Sequence, residues 1–436
     1  MNFNAPVLPL EDCLDALIDY RGKTPVKTES GIPLITAKII KGGRIETPTE
    51  FIAVDNYDSW MRRGLPKAGD VVLTVEAPLG EVAQLGTEKV ALAQRVVTLR
   101  GKTGLLDNTY LLYLLQTEEM QDQLRSRATG TTVLGIKQSE LRKVNVALPP
   151  LADQIGAAST LKALDDRIAL LRETNATLEA IAQALFKSWF VGFDPVRAKQ
   201  QGQMPEGMDE ATAALFPDSF EESELGLVPK GWSVKPVGEV VDCVGGATPD
   251  TKDESFWEPA EHCWTTPKDL SGINSPVLLN TERKLSNKGL AKIGSGLLPA
   301  GTLLLSSRAP IGYLAIAQVP LAINQGYIAF PPTGKLSPLY MLLWCQTNME
   351  VIKARANGST FMEISKKAFR PIPILLPNTE ILTAFEEVAS VLFDRIVENA
   401  RQANSLADLR DALLPRLISG QLRITEAEDA VEEAAA

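Results

Sequence analysis

A single histidine, His262, stands in 436 residues between Glu261 and Cys263, and the four cysteines, Cys13, Cys243, Cys263 and Cys345, share no metal-like spacing. A lone His-Cys pair makes neither a closed metal site nor a catalytic dyad. Four thiols are too few to staple a chain of this size, which fits a reducing compartment. No Gly-x-Gly-x-x-Gly loop and no Walker-type Gly-Lys-Ser/Thr is present, so ATP chemistry has no seat. No run of about 18 apolar residues occurs and no basic segment precedes an apolar one at the start, so a cytoplasmic protein with no membrane span is expected. Glycine is missing as well over one long interval, from Ala157 to Val191.

That interval carries a seam. Leu161, Leu164, Ile168, Leu171, Leu178, Ala182 and Leu185 fall alternately three and four residues apart, with Asn175 the one polar member of the series. Such spacing belongs to a coiled coil. Pro149 and Pro150 stop a helix entering from the left, and Gly192 and Pro195 close it on the right. About 40 residues at ~1.5 Å each make a rod of roughly 60 Å, which needs a partner helix.

The partner lies in the same chain. Adding 228 to the seam positions gives Ala389, Leu392, Ile396, Asn399, Ala403, Leu406, Arg410 and Leu413, a second seam in phase. Asp166-Arg167-Ile168 returns as Asp394-Arg395-Ile396, and Gly130-Thr131-Thr132 as Gly358-Ser359-Thr360; Ala77-Pro78-Leu79-Gly80 returns as Ala309-Pro310-Ile311-Gly312 at an offset of 232. The chain is a duplication, each half a globular domain followed by a long helix. Antiparallel pairing in which partner positions sum to 574 sets Leu161 against Leu413, Ile168 against Leu406 and Asn175 against Asn399. Two seam asparagines meeting would fix the register, because any slip buries each amide against hydrocarbon.

The expected class is α/β: two duplicated α/β domains separated by two long antiparallel coiled-coil helices. The first domain covers residues 1–147, with strand-like runs at 32–35, 71–75 and 96–99 and a candidate helix over 108–127. The first long helix covers 148–193. Residues 194–226, rich in Pro, Gly and acid, read as an exposed acidic linker. The second domain covers 227–377, with strand-like runs at 303–305 and 323–330 and a helix over 339–356. The second long helix covers 378–425, and 426–436 is an acidic tail expected to fray.

Net charge is −10, but it is unevenly placed. Residues 1–150 hold 18 basic and 18 acidic groups, and 227–377 hold 15 and 11, while linker, helices and tail carry the excess acid. Only the globular halves lack net negative charge, so an anionic partner would dock there. The polar residues that recur between the halves suit nucleic acid. Gln, Asn and Arg bond base edges, while Ser, Thr and Lys hold phosphates. The candidates are Gln94, Arg95, Thr131, Thr132 and Lys137 in the first half. In the second they are Thr266, Lys268, Arg308, Gln325, Ser359 and Lys366. A rival reading comes from Asp250, Glu282 and Lys284, which match the degenerate Pro-Asp, Glu-x-Lys pattern of Mg²⁺-dependent nucleases and have no counterpart in the first half. A protein-only coiled-coil scaffold is the third possibility.

Leu148-Pro149-Pro150-Leu151-Ala152-Asp153-Gln154, Leu164-Asp165-Asp166-Arg167-Ile168 and Ala184-Leu185-Phe186-Lys187-Ser188-Trp189-Phe190 resemble the central conserved region of type I restriction-modification specificity subunits. Trp264-Thr265-Thr266-Pro267-Lys268-Asp269-Leu270, Ser307-Arg308-Ala309-Pro310-Ile311-Gly312 and Asn324-Gln325-Gly326 look like the same family's target-recognition domain. The resemblance implies a non-catalytic DNA-reading subunit with no metal or cofactor of its own. Its two target-recognition domains would read a bipartite, asymmetric site on double-stranded DNA. Two methyltransferase subunits would pack on the helices and methylate adenine with S-adenosylmethionine, and restriction subunits would add ATP- and Mg-dependent translocation and cleavage. The chain departs from the pattern at Asn378-Thr379, in place of Pro150-Leu151, and at Leu414-Pro415-Arg416, in place of Phe186-Lys187-Ser188.

Overall fold

A computed structural model describes residues 6–22, 24–308, 310–358 and 362–435. Ala309, Ser359 and Thr360, which carried part of the repeat, lie outside the described residues. The chain divides into two units, Met1–Ile168 with Asn404–Ala436, and Ala169–Ala403.

In the first unit a four-stranded antiparallel sheet runs in the order Leu14–Asp19, Val96–Gly101, Val71–Val75, Leu79–Gln84. Every residue of Val71–Val75 is buried, as a central strand requires. Beside it Ile32–Ile35 pairs antiparallel with Phe51–Ile52 and parallel with Ala91–Leu92. The second unit repeats the second pattern and three strands of the first, while its fourth strand, Val277–Leu278, joins parallel at the opposite edge beside Leu314–Ala317. Leu303–Ser306 lies between Leu314–Ala317 and Tyr327–Phe330, and His262–Thr265 pairs antiparallel with Arg283–Leu285 and parallel with Leu321–Ile323.

Three expected elements break where a side chain caps the backbone. The helix over 108–127 is two, Asn108–Gln116 and Glu118–Ser126, because Thr117 is extended and its hydroxyl accepts from the Met120 amide. The helix over 339–356 is also two, Pro338–Thr347 and Met349–Ala354, parted at Asn348, whose Nδ2 donates back to the Trp344 carbonyl at 2.9 Å. The strand over 323–330 is interrupted at Asn324, whose Oδ1 accepts the Gly326 amide at 2.8 Å and turns the chain.

The long helices are Leu151–Lys187, continued by a wider turn over Ser188–Gly192, and Thr379–Ile418. In the second unit Asn399 Nδ2 donates to Asn175 Oδ1 at 2.9 Å and Asn175 Nδ2 donates to the Ile396 carbonyl at 3.0 Å, both side chains buried. Further along, Phe186 meets Phe385, so the helices are antiparallel and the asparagines stand in the register summing to 574. In the first unit Leu161, Leu164, Ile168, Leu406 and Leu413 are all buried, and Arg410 Nη1 bonds Asp165 at 2.7 Å beside them. Leu171 is buried too, whereas Leu178, Leu185 and Leu392 are half-buried.

The linker expectation needs correction. Residues 194–226 form helices Asp194–Gln200 and Glu210–Leu215 and the hairpin strands Phe220–Ser223 and Gly226–Pro229, and Val196 and Phe216 are buried with Trp189, Phe190, Trp232, Tyr340 and Phe385. Its prolines and glycines mark turns between short elements, and its few apolar residues are enough to dock it. The tail is also ordered rather than frayed: Ile424–Ala435 is helical, Ala427 is buried, and Ile424 fills the space over Gly156. Among the described residues no helix is long and apolar enough to cross a membrane.

Candidate nucleic-acid interface

Three loops converge at one edge of the first unit, held by backbone bonds. Val75, ending its strand, donates its amide to the Arg95 carbonyl at 3.0 Å and accepts from the Ile136 amide at 3.0 Å. Thr129 and Gly135 exchange two bonds and close a hairpin whose tip holds Thr131 and Thr132, both exposed. Gly130 has φ +117, and a Cβ there would sit 2.1 Å from the Val133 carbonyl oxygen, so the hairpin demands glycine. Gln94 Nε2 reaches Thr24 Oγ1 at 3.4 Å, and Arg95 and Lys137 are exposed, with no ion pair among the described residues.

The second unit builds the same frame. Ser307 donates to the Gly326 carbonyl at 2.8 Å and accepts from Ile364 at 3.0 Å, and Asn357 pairs with Glu363 as Thr129 does with Gly135. Thr248 Oγ1 donates to Gln325 Oε1 at 2.6 Å, matching the Thr24–Gln94 contact. Arg308 pairs across the hairpin with Glu363, guanidinium to carboxylate 3.8 Å. At the equivalent bridge the first unit has Glu76 opposite Gly135. The frame is common; the side chains on it differ.

The remaining candidates divide. Thr266 lies beside the Asn324–Gly326 turn, since Asn324 donates to the Thr265 carbonyl at 3.1 Å, but its hydroxyl is engaged by Asp269 in a cap. Lys268 is paired with Glu282 at 2.9 Å. Lys366 lies half-buried across Gly245, and Ser359 falls outside the described residues. Thr24 and Thr248 were absent from the sequence-based set. Their signal was the repeat Gly22-x-Thr24-Pro25 and Gly246-x-Thr248-Pro249, at an offset of 224. Tyr327, whose phenol burial pushes up and so keeps protonated, donates to the Thr266 carbonyl at 2.5 Å and fixes that loop from below.

The two carboxylates of the nuclease pattern are otherwise engaged. Asp250 Oδ1 accepts the Lys252 amide in a turn, and Glu282 is held by Lys268. Among the described residues no three His, Cys, Asp or Glu side chains cluster as metal ligands would.

The model of the type I restriction modification DNA specificity domain matches twice, over residues 20–180 and 229–396. The chain belongs to this family. As a specificity subunit it is 36% identical to the type I restriction enzyme MjaIX specificity subunit of Methanocaldococcus jannaschii over 193 residues, 43% of this chain and 44% of that one. It is 27% identical to the HindI specificity subunit of Haemophilus influenzae over 356 residues, 72% of this chain and 77% of that one. The fold of a crystallised specificity subunit from M. genitalium aligns over 96% of this chain and 97% of that one, with a TM-score of 0.57 at 16% identity.

Proposed function

We propose that this specificity subunit supplies the DNA sequence preference of a type I complex, each domain reading one half of a bipartite, asymmetric site. The observation that carries the reading is the frame built twice with different side chains: Glu76 and Gly135 in one unit, Arg308 and Glu363 in the other. Identical backbone geometry suits docking on a common duplex, and unlike side chains suit reading different bases. Gln94, Arg95, Thr131 and Thr132 face the first half-site. Arg308 and Gln325 face the second.

The helices dock the methyltransferase subunits. Leu170, Ile181, Val388 and Val391 in the second unit and Ile155 in the first are exposed, large and apolar on the outer faces of a helix pair whose seam is already filled. The subunit binds no cofactor in this scheme; S-adenosylmethionine, ATP and Mg²⁺ are handled by its methyltransferase and restriction partners. A mobility-shift titration of the assembled complex on duplex DNA tests the reading. Binding with sequence preference at two separated half-sites is expected, and binding without preference, or cleavage by this chain alone with Mg²⁺, would overturn it.

A further inference from the structure

We propose that a trough in the first unit seats a phosphodiester of the DNA backbone, with Arg63 and Lys137 as its cations. The proposal rests on the DNA-reading function and says which contact is sequence-blind. The trough, about 700 Å³, is lined by Leu17, Asp19, Arg21, Arg63, Lys137 and Ser139, with Gln138 at its side.

Its one carboxylate is already spent. Arg21 Nε and Nη2 both donate to Asp19 Oδ2, at 2.8 and 2.6 Å, and Nη1 of the same guanidinium donates to the Ile136 carbonyl at 2.7 Å, next to the hairpin that carries Thr131 and Thr132. Arg63 is held differently. Its Nη1 donates to the carbonyls of Asp19 at 3.0 Å and Arg21 at 2.7 Å, and no carboxylate pairs with it among the described residues. Carbonyls fix the guanidinium in place and leave its positive charge uncompensated, with Nε and Nη2 still free to donate. Lys137 is exposed across the trough, also without an ion pair among the described residues. Two cations without an ion pair among the described residues, over a neutral Asp–Arg floor, attract an anion; Glu140, which feels the Lys137 charge, is itself paired with Lys143 at 2.9 Å. An open trough running beside the reading hairpin fits an extended polyanion better than a small acid, which would need an enclosed pocket.

The second unit reaches a similar result from the opposite wall. By the Gly-x-Thr-Pro repeat, Gly245 takes the place of Arg21 and Cys243 that of Asp19; by the helix repeat, Lys366 takes the place of Gln138. The Asp–Arg pair is gone, and Lys366 Nζ lies 3.1 Å from where a Cβ on Gly245 would stand, in the room the arginine fills in the first unit. A cation with no carboxylate partner among the described residues survives the exchange, although the segment that supplies it has changed.

The test uses the complex of this chain with its methyltransferase partner, a duplex bearing the methylated motif and one with the motif scrambled, titrated across roughly 50 to 200 mM salt. Lys137→Gln and Arg63→Gln should each weaken both duplexes by the same factor and lower the salt slope by about 1, the pair by about 2, with base preference unchanged. Lys137→Arg should keep the wild-type slope, which shows that the slope reads the charge at 137, a side chain that holds no other part of the fold in place. An unchanged slope in Lys137→Gln, or a loss confined to the motif duplex, would overturn the trough. If the unmutated complex itself bound without preference and without salt dependence, the DNA-reading function would fall instead.

Discussion

Gly22 and Gly246 occupy the same place in the repeat, and they are glycine for different reasons. Gly22 has φ +98 with nothing within 4 Å of a Cβ, whereas Gly246 has no positive φ but would put a Cβ 1.7 Å from the Ile323 carbonyl oxygen. One answers a backbone conformation and the other a close approach of two backbone segments. The same contrast runs through both reading edges. Their hydrogen-bond frames correspond while the groups on them, Glu76 against Arg308 and Arg21 against Gly245, have diverged. What the duplication keeps is the frame that sets these loops, which in the proposed function lie on DNA, and what it changes is what those loops present.

Gly246→Ala should therefore be the most damaging single change, costing ~3 kcal/mol or more because backbone must move, and abolishing preference at the second half-site only. Gly22→Ala should cost about 1 to 2 kcal/mol, the strain of a left-handed residue without a clash. Urea melts of the two variants compare them directly; equal losses would erase the distinction.

The seam permits a comparison of a different kind. Asn175→Leu strands the Asn399 amide among hydrocarbon and should cost about 1 to 3 kcal/mol. The double change of Asn175 and Asn399 to Leu should recover most of that loss, since both partners go together, while loosening the choice of register. A double variant as unstable as the single one would show that the asparagine pair does more than satisfy itself.

On DNA, Arg308→Ala should weaken discrimination at the second half-site by about 1 to 3 kcal/mol and leave the first untouched, as Gln94→Ala should do in reverse. Competition binding with half-site variants checks it, and a loss at both half-sites from one substitution would break the two-reader comparison.

The smallest effect concerns Glu179, whose carboxyl burial pushes up to about 7 and whose Oε1 has no hydrogen-bond partner among the described residues. A carboxyl raised in the folded state keeps its proton longer than in the unfolded chain. Its contribution is undiminished below the ordinary carboxylate pKa, is lost as pH rises toward 7, and stays lost above. Glu179→Gln should remove that fall and add on the order of 1 kcal/mol above pH 7. Parallel pH profiles for both proteins would show the idea wrong.

The helix pair was legible because periodicity over about 40 residues leaves one solution, and the paired asparagines made its register readable too. Short elements were less so. Thr117 breaks a helix by accepting one amide, Asn324 turns a strand by the same device, and residues 194–226 fold on a few buried apolar side chains that their proline, glycine and acid obscure. At the reading edge the repeat pointed to Gln94, Arg308 and Gln325. The Thr24–Gln94 and Thr248–Gln325 contacts join residues about 70 positions apart, a closeness that only the folded sheet supplies.

The central claim, two unlike readers on one frame, is tested most directly by sequencing the adenine methylation that the complex of this chain and its methyltransferase partner leaves on random DNA. A bipartite motif with two different half-sites at a fixed spacing is expected, and Arg308→Ala should blur one half alone. A single contiguous motif, or a palindrome from the intact chain, would contradict it.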